Sequence, residues 1–276
     1  MERIILIETS TSLCSVALAE DGAVVAYRES SSPKAHASLT AVFIQEMLSE
    51  RGLTIADCDA VCVSMGPGSY TGLRVGVSTA KGLCFGAGKP LLAVGTLDTL
   101  VAQAKIPEIP GQAGNDVVTG DNGKDGSDGK DGGDVIPDLI GDPRFIIPMI
   151  DARRMEVYTA VFASPSLNAS AIITSEVEES HTYRQITETA PVIIDESSFA
   201  EYLEQGTCLF IGDGAGKCAD VIKHPNAHFC QCWPKASSML EPALAAYRAG
   251  DFKDVAYFEP FYLKEFVATV SKKKLF

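Results

Sequence analysis

An acidic residue followed by a run of hydroxyl residues is the first pattern in the chain that is suited to binding a phosphate. The segment ETSTSLCSVAL, residues 8–18, places Glu8, Thr9, Ser10 and Thr11 at the end of a predicted apolar strand. Backbone N–H groups and hydroxyls in a tight turn can hold a phosphate, and the carboxylate can reach a metal ion or a water molecule. A plain β-turn with satisfied hydroxyls explains the same residues. Both interpretations stay open at this point.

Two glycine-rich segments each follow a predicted strand and open a predicted helix. In GPGSYTGLRVGVSTAKG, residues 66–82, the helix start offers free N–H groups and a positive dipole end to an anion. The segment has neither Walker A spacing nor a G-x-S-x-G nucleophile elbow. The second segment, GDGAGKC at 212–218, contains Gly212, Gly214 and Gly216. It indicates either a residual nucleotide site or a tight strand-to-helix connection.

Two further groups of residues have chemistry to offer. A local cluster near the second glycine-rich segment could hold a structural zinc ion, but burial as small core side chains is the favoured interpretation; it comprises Cys218, His224, His228, Cys230 and Cys232. Its HPNAH segment has no glutamate of the HExxH type. The segment IDARRMEV carries Asp151, Arg153 and Arg154 at the turn of the second half that is equivalent to the Glu8–Thr11 turn; an exposed hairpin with a salt bridge explains the same residues.

The elements that must position these residues follow the same order twice. The first half predicts three antiparallel strands in RIILIE, LCSVALAE and AVVAYRES, then a helix at 36–51, a strand at 59–65, a helix at 71–86, and a final strand and helix. The second half predicts strands in RFIIPMID, MEVYTAVF and the AIITSEV region, then strand, helix, strand and helix to residue 250. The repeated order βββαβα predicts an α/β, duplicated ribonuclease-H-like fold of the actin-like ATPase (ASKHA) class.

Composition limits the classes of protein that the chain can belong to. With 276 residues, 46% of them hydrophobic and 21% charged, the chain is long enough for one or two cores, and no apolar run reaches the length of a membrane span. The start resembles no signal peptide, so we expect a cytoplasmic protein with eight reduced, mostly buried cysteines. A net charge of −13 argues against direct, charge-driven nucleic-acid binding.

One low-complexity segment divides the chain. Residues 111–134 contain six Asp and two Lys and lack large apolar side chains, which predicts a disordered insert. The predicted domains are therefore an N-terminal actin-like lobe at 1–110, the insert at 111–134, and a C-terminal actin-like lobe at 135–276. The insert carries −4 of the charge and leaves −9 for the rest. Three consecutive lysines in the terminal SKKKLF are the main basic run.

The long motif at 66–82 resembles the TsaB (YeaZ) family. ILIETSTSLCSVAL, LLAVGTLDTLVAQ, IIPMIDARRMEVYTAVF and EPFYLKEF fit the same family, so the resemblance covers most of the chain outside the insert and parts of 165–235. It implies a part in forming threonylcarbamoyladenosine (t6A) at position 37 of tRNAs that read codons starting with A. It also implies the duplicated actin-like fold. The related TsaD transferases carry an H-x-x-x-H metal pair where this chain has Thr96 and Leu100, so the resemblance implies a subunit without its own catalysis.

The resemblance further implies partners. We expect a TsaD-type transferase as the direct partner, a TsaE-type ATPase in the same assembly, tRNA contacted through the complex, and a homodimer when the chain is alone. We expect no cofactor of the chain's own, no metal, no membrane, and ATP at the partner interface. The predicted partner surface comprises Leu39, Phe43, Met47, Val75 and Thr79; packing of all five on their own sheet is the alternative.

Two enzyme hypotheses compete with the partner-subunit interpretation. An ATP-binding phosphoryl-transfer enzyme of the actin-like class would use Glu8, Thr9 and the 212–216 turn around Mg-ATP. A metal-dependent glycopeptidase, a description attached to relatives, is disfavoured because both histidine motifs are missing.

Overall fold

A computed structural model describes residues 1–32, 35–105, 142–165 and 183–263. Its first sheet has the order β3-β2-β1-β4-β5. The central strand β1 pairs antiparallel with β2 and parallel with β4, and β2 runs opposite to the other four strands of this mixed sheet. Its strands are β1 (Arg3–Glu8), β2 (Cys14–Glu20), β3 (Ala23–Ser30), β4 (Ala60–Ser64) and β5 (Leu91–Val94).

Helices α1 (Ala35–Glu50) and α2 (Tyr70–Ala87) cover one face of the first sheet. A 3-10 turn at Ile55–Asp57 leads into β4. Ser69 begins α2 by accepting a hydrogen bond from the Gly72 N–H, and Gly88 ends the helix in the left-handed conformation that favours glycine. The third helix, α3 (Thr96–Ala104), follows β5 directly.

The second sheet repeats the arrangement of the first. Its main path is β10-β7-β6-β11-β12, the same order as in the first sheet, with β8 and β9 attached beside β6. Its strands are β6 (Phe145–Asp151), β7 (Glu156–Thr159), β8 (Phe162–Ala163), β9 (Arg184–Gln185), β10 (Ala190–Ile193), β11 (Cys208–Ile211) and β12 (Ala227–Cys230). Helices α4 (Ala200–Leu203), α5 (Ala215–Ala219) and α6 (Leu240–Ala249) follow, the last after a 3-10 turn at Ala236–Met239.

This duplication confirms the predicted α/β, ribonuclease-H-like fold of the actin-like class. One element of the second half differs from the sequence-based prediction. The strand that corresponds to β3 is β10 at Ala190–Ile193, not the AIITSEV region, which lies outside the described residues. The sequence of β10 resembles that of a loop because it contains Pro191. An edge strand, however, tolerates both Pro191 and the exposed Ile193.

The two halves exchange one helix each. Helix α3 packs Leu97, Leu100 and Val101 against the second sheet, in one apolar cluster with residues of β6 and β11. In return, Met239 and Ala243 pack on the first sheet, on the face opposite α1 and α2. The predicted domain boundaries stay a prediction, and the 111–134 insert and the SKKKLF tail lie outside the described residues.

All eight cysteines are buried, which confirms the prediction that they serve mainly as small core side chains. Burial also raises the pKa of the thiols of Cys58, Cys84 and Cys218 to about 11, so these sulfurs are protonated at neutral pH. Among the described residues, no helix combines the length and the apolar character that a membrane crossing requires.

Candidate functional site

The turn between β1 and β2 packs directly on the start of α2. The Thr9 hydroxyl donates a hydrogen bond of 2.9 Å to the Gly72 carbonyl, and the Ser69 N–H donates one of 2.6 Å to the Ser10 carbonyl. A side chain at Gly68 or Gly72 would overlap the backbone of this turn. These two glycines of the 66–82 motif therefore allow two backbone segments to make contact. The turn covers the start of α2, which was a candidate anion-binding position in the sequence.

Glu8 is fully buried beneath this turn. One carboxylate oxygen, Oε1, accepts a hydrogen bond of 2.7 Å from the Ser10 N–H, whereas Oε2 has no hydrogen-bond partner among the described residues. Desolvation raises the pKa of the Glu8 carboxyl to about 7, although the nearby Ser10 and Ser64 groups act in the opposite direction. Burial is therefore the main influence on the pKa of this carboxyl.

The hydroxyls of the same turn are also inaccessible. Thr9 and Ser10 are completely buried and Thr11 is nearly so, and the side-chain oxygens of Ser10 and Thr11 lack a hydrogen-bond partner among the described residues. A phosphate could reach them only if the start of α2 moved away. A nucleotide role for Glu8–Thr11 stays a prediction.

Thr96 and Leu100 occupy the core at the join between the two halves. The hydroxyls of Thr96 and Ser64 share a hydrogen bond of 2.9 Å, which fastens the start of α3 to the end of β4. Leu100 lies in the apolar cluster beneath the second sheet, and both side chains are fully buried. Neither residue offers an imidazole, and neither faces solvent.

The second glycine-rich turn repeats the packing of the first. Gly212, with φ of +132°, and Gly214 lie against the backbone of Met149 at the end of β6, and the Gly214 N–H donates a 3.0 Å hydrogen bond to the Met149 carbonyl. The Gly216 N–H donates a 2.5 Å hydrogen bond to the side chain of Gln231. Close backbone approach thus explains Gly212 and Gly214, and a nucleotide role for the three glycines stays a prediction.

The cysteines of the predicted cysteine and histidine cluster lie in two different apolar clusters of the second half, Cys218 in one and Cys230 with Cys232 in the other. Cys218, Cys230 and Cys232 are buried, with the Cys218 thiol 3.1 Å from the Gly214 carbonyl. His224 accepts a hydrogen bond of 3.2 Å from the Asn226 N–H. In the four described stretches, no three His, Cys, Asp or Glu side chains are grouped so that they could hold a metal ion.

A surface groove lies between α1 and α2. Its volume is about 540 Å³, and its lining residues are Ala37, Tyr70, Thr71, Arg74, Val75, Ser78 and Thr79. Two of the five predicted partner residues, Val75 and Thr79, are in it. Leu39 and Phe43 are half-buried on α1, but Met47 is fully buried in the core under the first sheet and does not reach this surface.

Tyr70 and Arg74 are two of the five groove residues that the sequence analysis missed. The Arg74 guanidinium lies over the Tyr70 ring at 4.7 Å from its centroid, and the Tyr262 ring packs on Tyr70 at the same centroid distance. The Phe261 N–H donates a 2.7 Å hydrogen bond to the Met65 carbonyl and so holds the C-terminal segment beside α2. The four-residue spacing of an aromatic and a basic residue on a helix was the available signal.

Comparison with known proteins shows which proteins this chain is similar to. A family model described as TsaD, tRNA N6-adenosine threonylcarbamoyltransferase, matches residues 29–114. The chain is 40% identical to the tRNA threonylcarbamoyladenosine biosynthesis protein TsaB of Escherichia coli (strain K12) over 102 residues, which are 37% of this chain and 44% of that protein. It is 39% identical to the TsaB protein of Haemophilus influenzae over 101 residues, which are 37% of this chain and 42% of that protein. The match thus spans less than half the length of these curated relatives.

Similarity of fold extends further than similarity of sequence. The solved structure of YeaZ from Pseudomonas aeruginosa aligns with 95% of this chain and 100% of its own, with a TM-score of 0.69 and 22% identity. The sequence matches to TsaB proteins and the shared fold over both halves confirm the resemblance to the TsaB (YeaZ) family.

Proposed function

We propose that this chain is a non-catalytic subunit required for t6A formation at position 37 of tRNA, and that it binds and activates a TsaD-type transferase. The observation that carries the proposal is the open groove between α1 and α2. Every residue that lines it lies within 29–114, the segment that matches the TsaD family model. The helices α1 and α2 of this chain thus resemble the same region of the proposed partner's family. This similarity favours pairing of the two proteins through these helices, as in a pair of like subunits.

The make-up of the groove suits a protein partner. Val75 and Thr79 supply small apolar surface, and Tyr70 with Arg74 supplies the aromatic and guanidinium groups that are enriched at protein interfaces. We place Leu39 and Phe43 at its edge, because each is half-exposed on α1. Met47 is left out of the proposed surface because it is buried in the chain's own core.

The rest of the assembly is proposed on the same basis. The TsaD-type subunit performs the transfer, because this chain has Thr96 and Leu100 where the resemblance implies a metal-binding histidine pair in the transferases. The proposal assigns the chain no cofactor of its own and places ATP at the interface with the transferase. It also includes a TsaE-type ATPase, tRNA held through the complex, a homodimer through α1 and α2 when the partner is missing, and a cytoplasmic location.

The proposal is tested by reconstitution with the TsaD-type and TsaE-type subunits, tRNA, threonine, bicarbonate and ATP. We expect t6A to form with the wild-type chain and to be reduced at least tenfold with Val75→Asp, which puts a charge into the groove. Ile193→Asp is the matched control, since Ile193 is 74% exposed on β10, in the other half of the chain. Equal t6A formation without the chain would refute the proposal.

A binding measurement separates docking from activation. Titration of the labelled chain with the transferase should give weaker binding for Val75→Asp than for wild type, and unchanged binding for Ile193→Asp. Normal transferase binding by Val75→Asp together with lost t6A formation would move the defect from docking to activation. ATP binding and turnover by the isolated chain, abolished by Thr9→Ala, would instead favour the phosphoryl-transfer alternative.

A further inference from the structure

The hairpin between β6 and β7 turns on two consecutive arginines. Arg153 and Arg154 have φ of +70° and +52°, the left-handed region that residues with a Cβ rarely adopt. Turns with this geometry normally use Asn-Gly or similar pairs, so the local sequence opposes the conformation that it takes. Such strain is found most often where a backbone is fixed for function.

The surrounding residues hold this turn in place. The Lys217 ammonium donates hydrogen bonds of 2.8 Å to the Arg154 carbonyl and 2.7 Å to the Glu156 carbonyl, and it pairs with the Asp151 carboxylate. The Asp151 carboxylate also accepts a 2.8 Å hydrogen bond from the Arg153 N–H. Lys217 and Asp151 therefore neutralise each other's charge beside the hairpin. Their hydrogen bonds hold the backbone that carries the two arginines.

Both arginine side chains are exposed, and neither guanidinium forms a hydrogen bond or an ion pair with any residue in the described parts of the chain. Four other arginines have a carboxylate partner, namely Arg3, Arg28, Arg51 and Arg248. What sets Arg153 and Arg154 apart from the other arginines is that they are adjacent in the sequence and lie on a turn that is fixed by Lys217 and Asp151. They are available to an external anion.

We propose that Arg153 and Arg154 form a phosphate-binding finger that contacts the tRNA backbone. This inference rests on the proposed function, which brings tRNA to the assembly. A guanidinium is planar and binds a phosphate through two parallel hydrogen bonds. Because a phosphodiester backbone repeats its charge at every nucleotide, adjacent guanidiniums can each take one phosphate without a fitted pocket. The fixed turn lowers the entropy lost on binding.

The salt dependence of RNA binding tests the proposal. Fluorescence anisotropy with labelled, unmodified tRNA is measured between 50 and 200 mM KCl, for the chain alone and for its complex with the transferase. We expect the Arg153→Gln, Arg154→Gln double variant to bind at least tenfold more weakly at low salt. The slope of log K against log salt should become shallower by about 1.4 to 1.8, the value for two lost phosphate contacts. Arg184→Gln, at an exposed arginine in the same half, should change neither quantity.

Two further variants separate charge from folding. Lysine at both positions should keep most of the salt slope and lose part of the affinity, because the charge remains and the two-pronged contact does not. Arg153→Asn with Arg154→Gly should raise Tm by relieving the turn, yet bind RNA as weakly as the glutamine variant. Loss of RNA binding in a stabilised protein cannot be assigned to misfolding.

Two results would overturn the proposal. One is an unchanged affinity and salt slope in the glutamine variant. The other is lost binding of the transferase with RNA binding intact, which would assign the arginines to an acidic protein surface. A failure of the proposed function has a different signature: t6A would form without the chain, whereas the change in the RNA salt slope would still be measurable.

Discussion

Replacing Glu8 by glutamine should make this protein more stable at alkaline pH and leave its stability nearly unchanged in mild acid. The Glu8 carboxyl is fully buried, one of its oxygens has no partner among the described residues, and desolvation raises its pKa from 4.5 to about 7. The folded state therefore binds a proton more tightly than the unfolded state does. Ionising the carboxyl in place costs free energy, whereas a glutamine has no charge to desolvate.

The sign and size of the effect follow from linkage. A group whose pKa is raised by folding gives its full stabilisation below the unfolded pKa of 4.5, and this is lost as pH rises through the folded pKa of about 7. The shift corresponds to about 3 kcal/mol. Relative to wild type, Glu8→Gln should gain roughly 2–3 kcal/mol of unfolding free energy between pH 5 and pH 8, or about 5–10 °C in Tm for a protein of this size.

The assay is urea or thermal unfolding of both proteins at several pH values from 5 to 8. The difference between variant and wild type is compared across pH, because any constant effect of the amide group cancels. Glu46→Gln, at an exposed glutamate on α1, removes the same formal charge and should show no such trend. A difference that does not change with pH would refute the buried, desolvated carboxyl. A variant that loses stability as pH rises would indicate an ionised Glu8 held by a cation, as the phosphoryl-transfer alternative requires.

Three further outcomes are expected from unfolding measurements. Gly72→Ala should lower the free energy of unfolding by about 2 kcal/mol or more, because the new Cβ overlaps the β1–β2 turn. The control Gly82→Ala has open space at its Cβ and should raise it by about 0.5–1 kcal/mol. Equal effects of the two substitutions would contradict the close packing. Lys217→Met should lower the free energy of unfolding by about 2 kcal/mol, because two carbonyls and a carboxylate lose their hydrogen-bond donor. The control Lys223→Met breaks one exposed hydrogen bond within its own segment and should lower it by less than about 0.5 kcal/mol. A reversed order of the two effects would argue against the fixed hairpin. Leu100→Ala should lower the free energy of unfolding by about 2–5 kcal/mol, and the variant protein should still unfold in one calorimetric transition. Two separated transitions would show that the halves unfold independently.

The fold was predictable where each element carried its own local signal. RIILIE and the 59–65 strand are short β-branched runs bounded by polar or turn residues, and both are central strands of the first sheet. Elements of the second half that depend on their neighbours were not visible. β10 has four residues and a proline, and α4 is a single turn, so each is stable only because of what it packs against.

The site was predictable in position and less so in orientation. The motif at 66–82 was recognised, but its glycines contact Thr9 and Ser10 some sixty residues away, which no local pattern encodes. Helix α1 is apolar on two sides, and spacing alone does not tell which side meets the sheet; Met47 was therefore placed on the surface and is in the core. The salt bridge predicted for the 151–154 hairpin exists, but Lys217 provides its cation.

The exchange of α3 and α6 has a practical consequence for dividing the protein. A fragment ending after α3 would display Leu97, Leu100 and Val101 with no sheet to cover them, and its own first sheet would lack the cover of Met239 and Ala243. Each fragment would be insoluble for want of the other. If the two fragments are produced together, the first supplies α3 to the second sheet and the second supplies α6 to the first sheet. The chain therefore contains the parts of a self-assembling split protein.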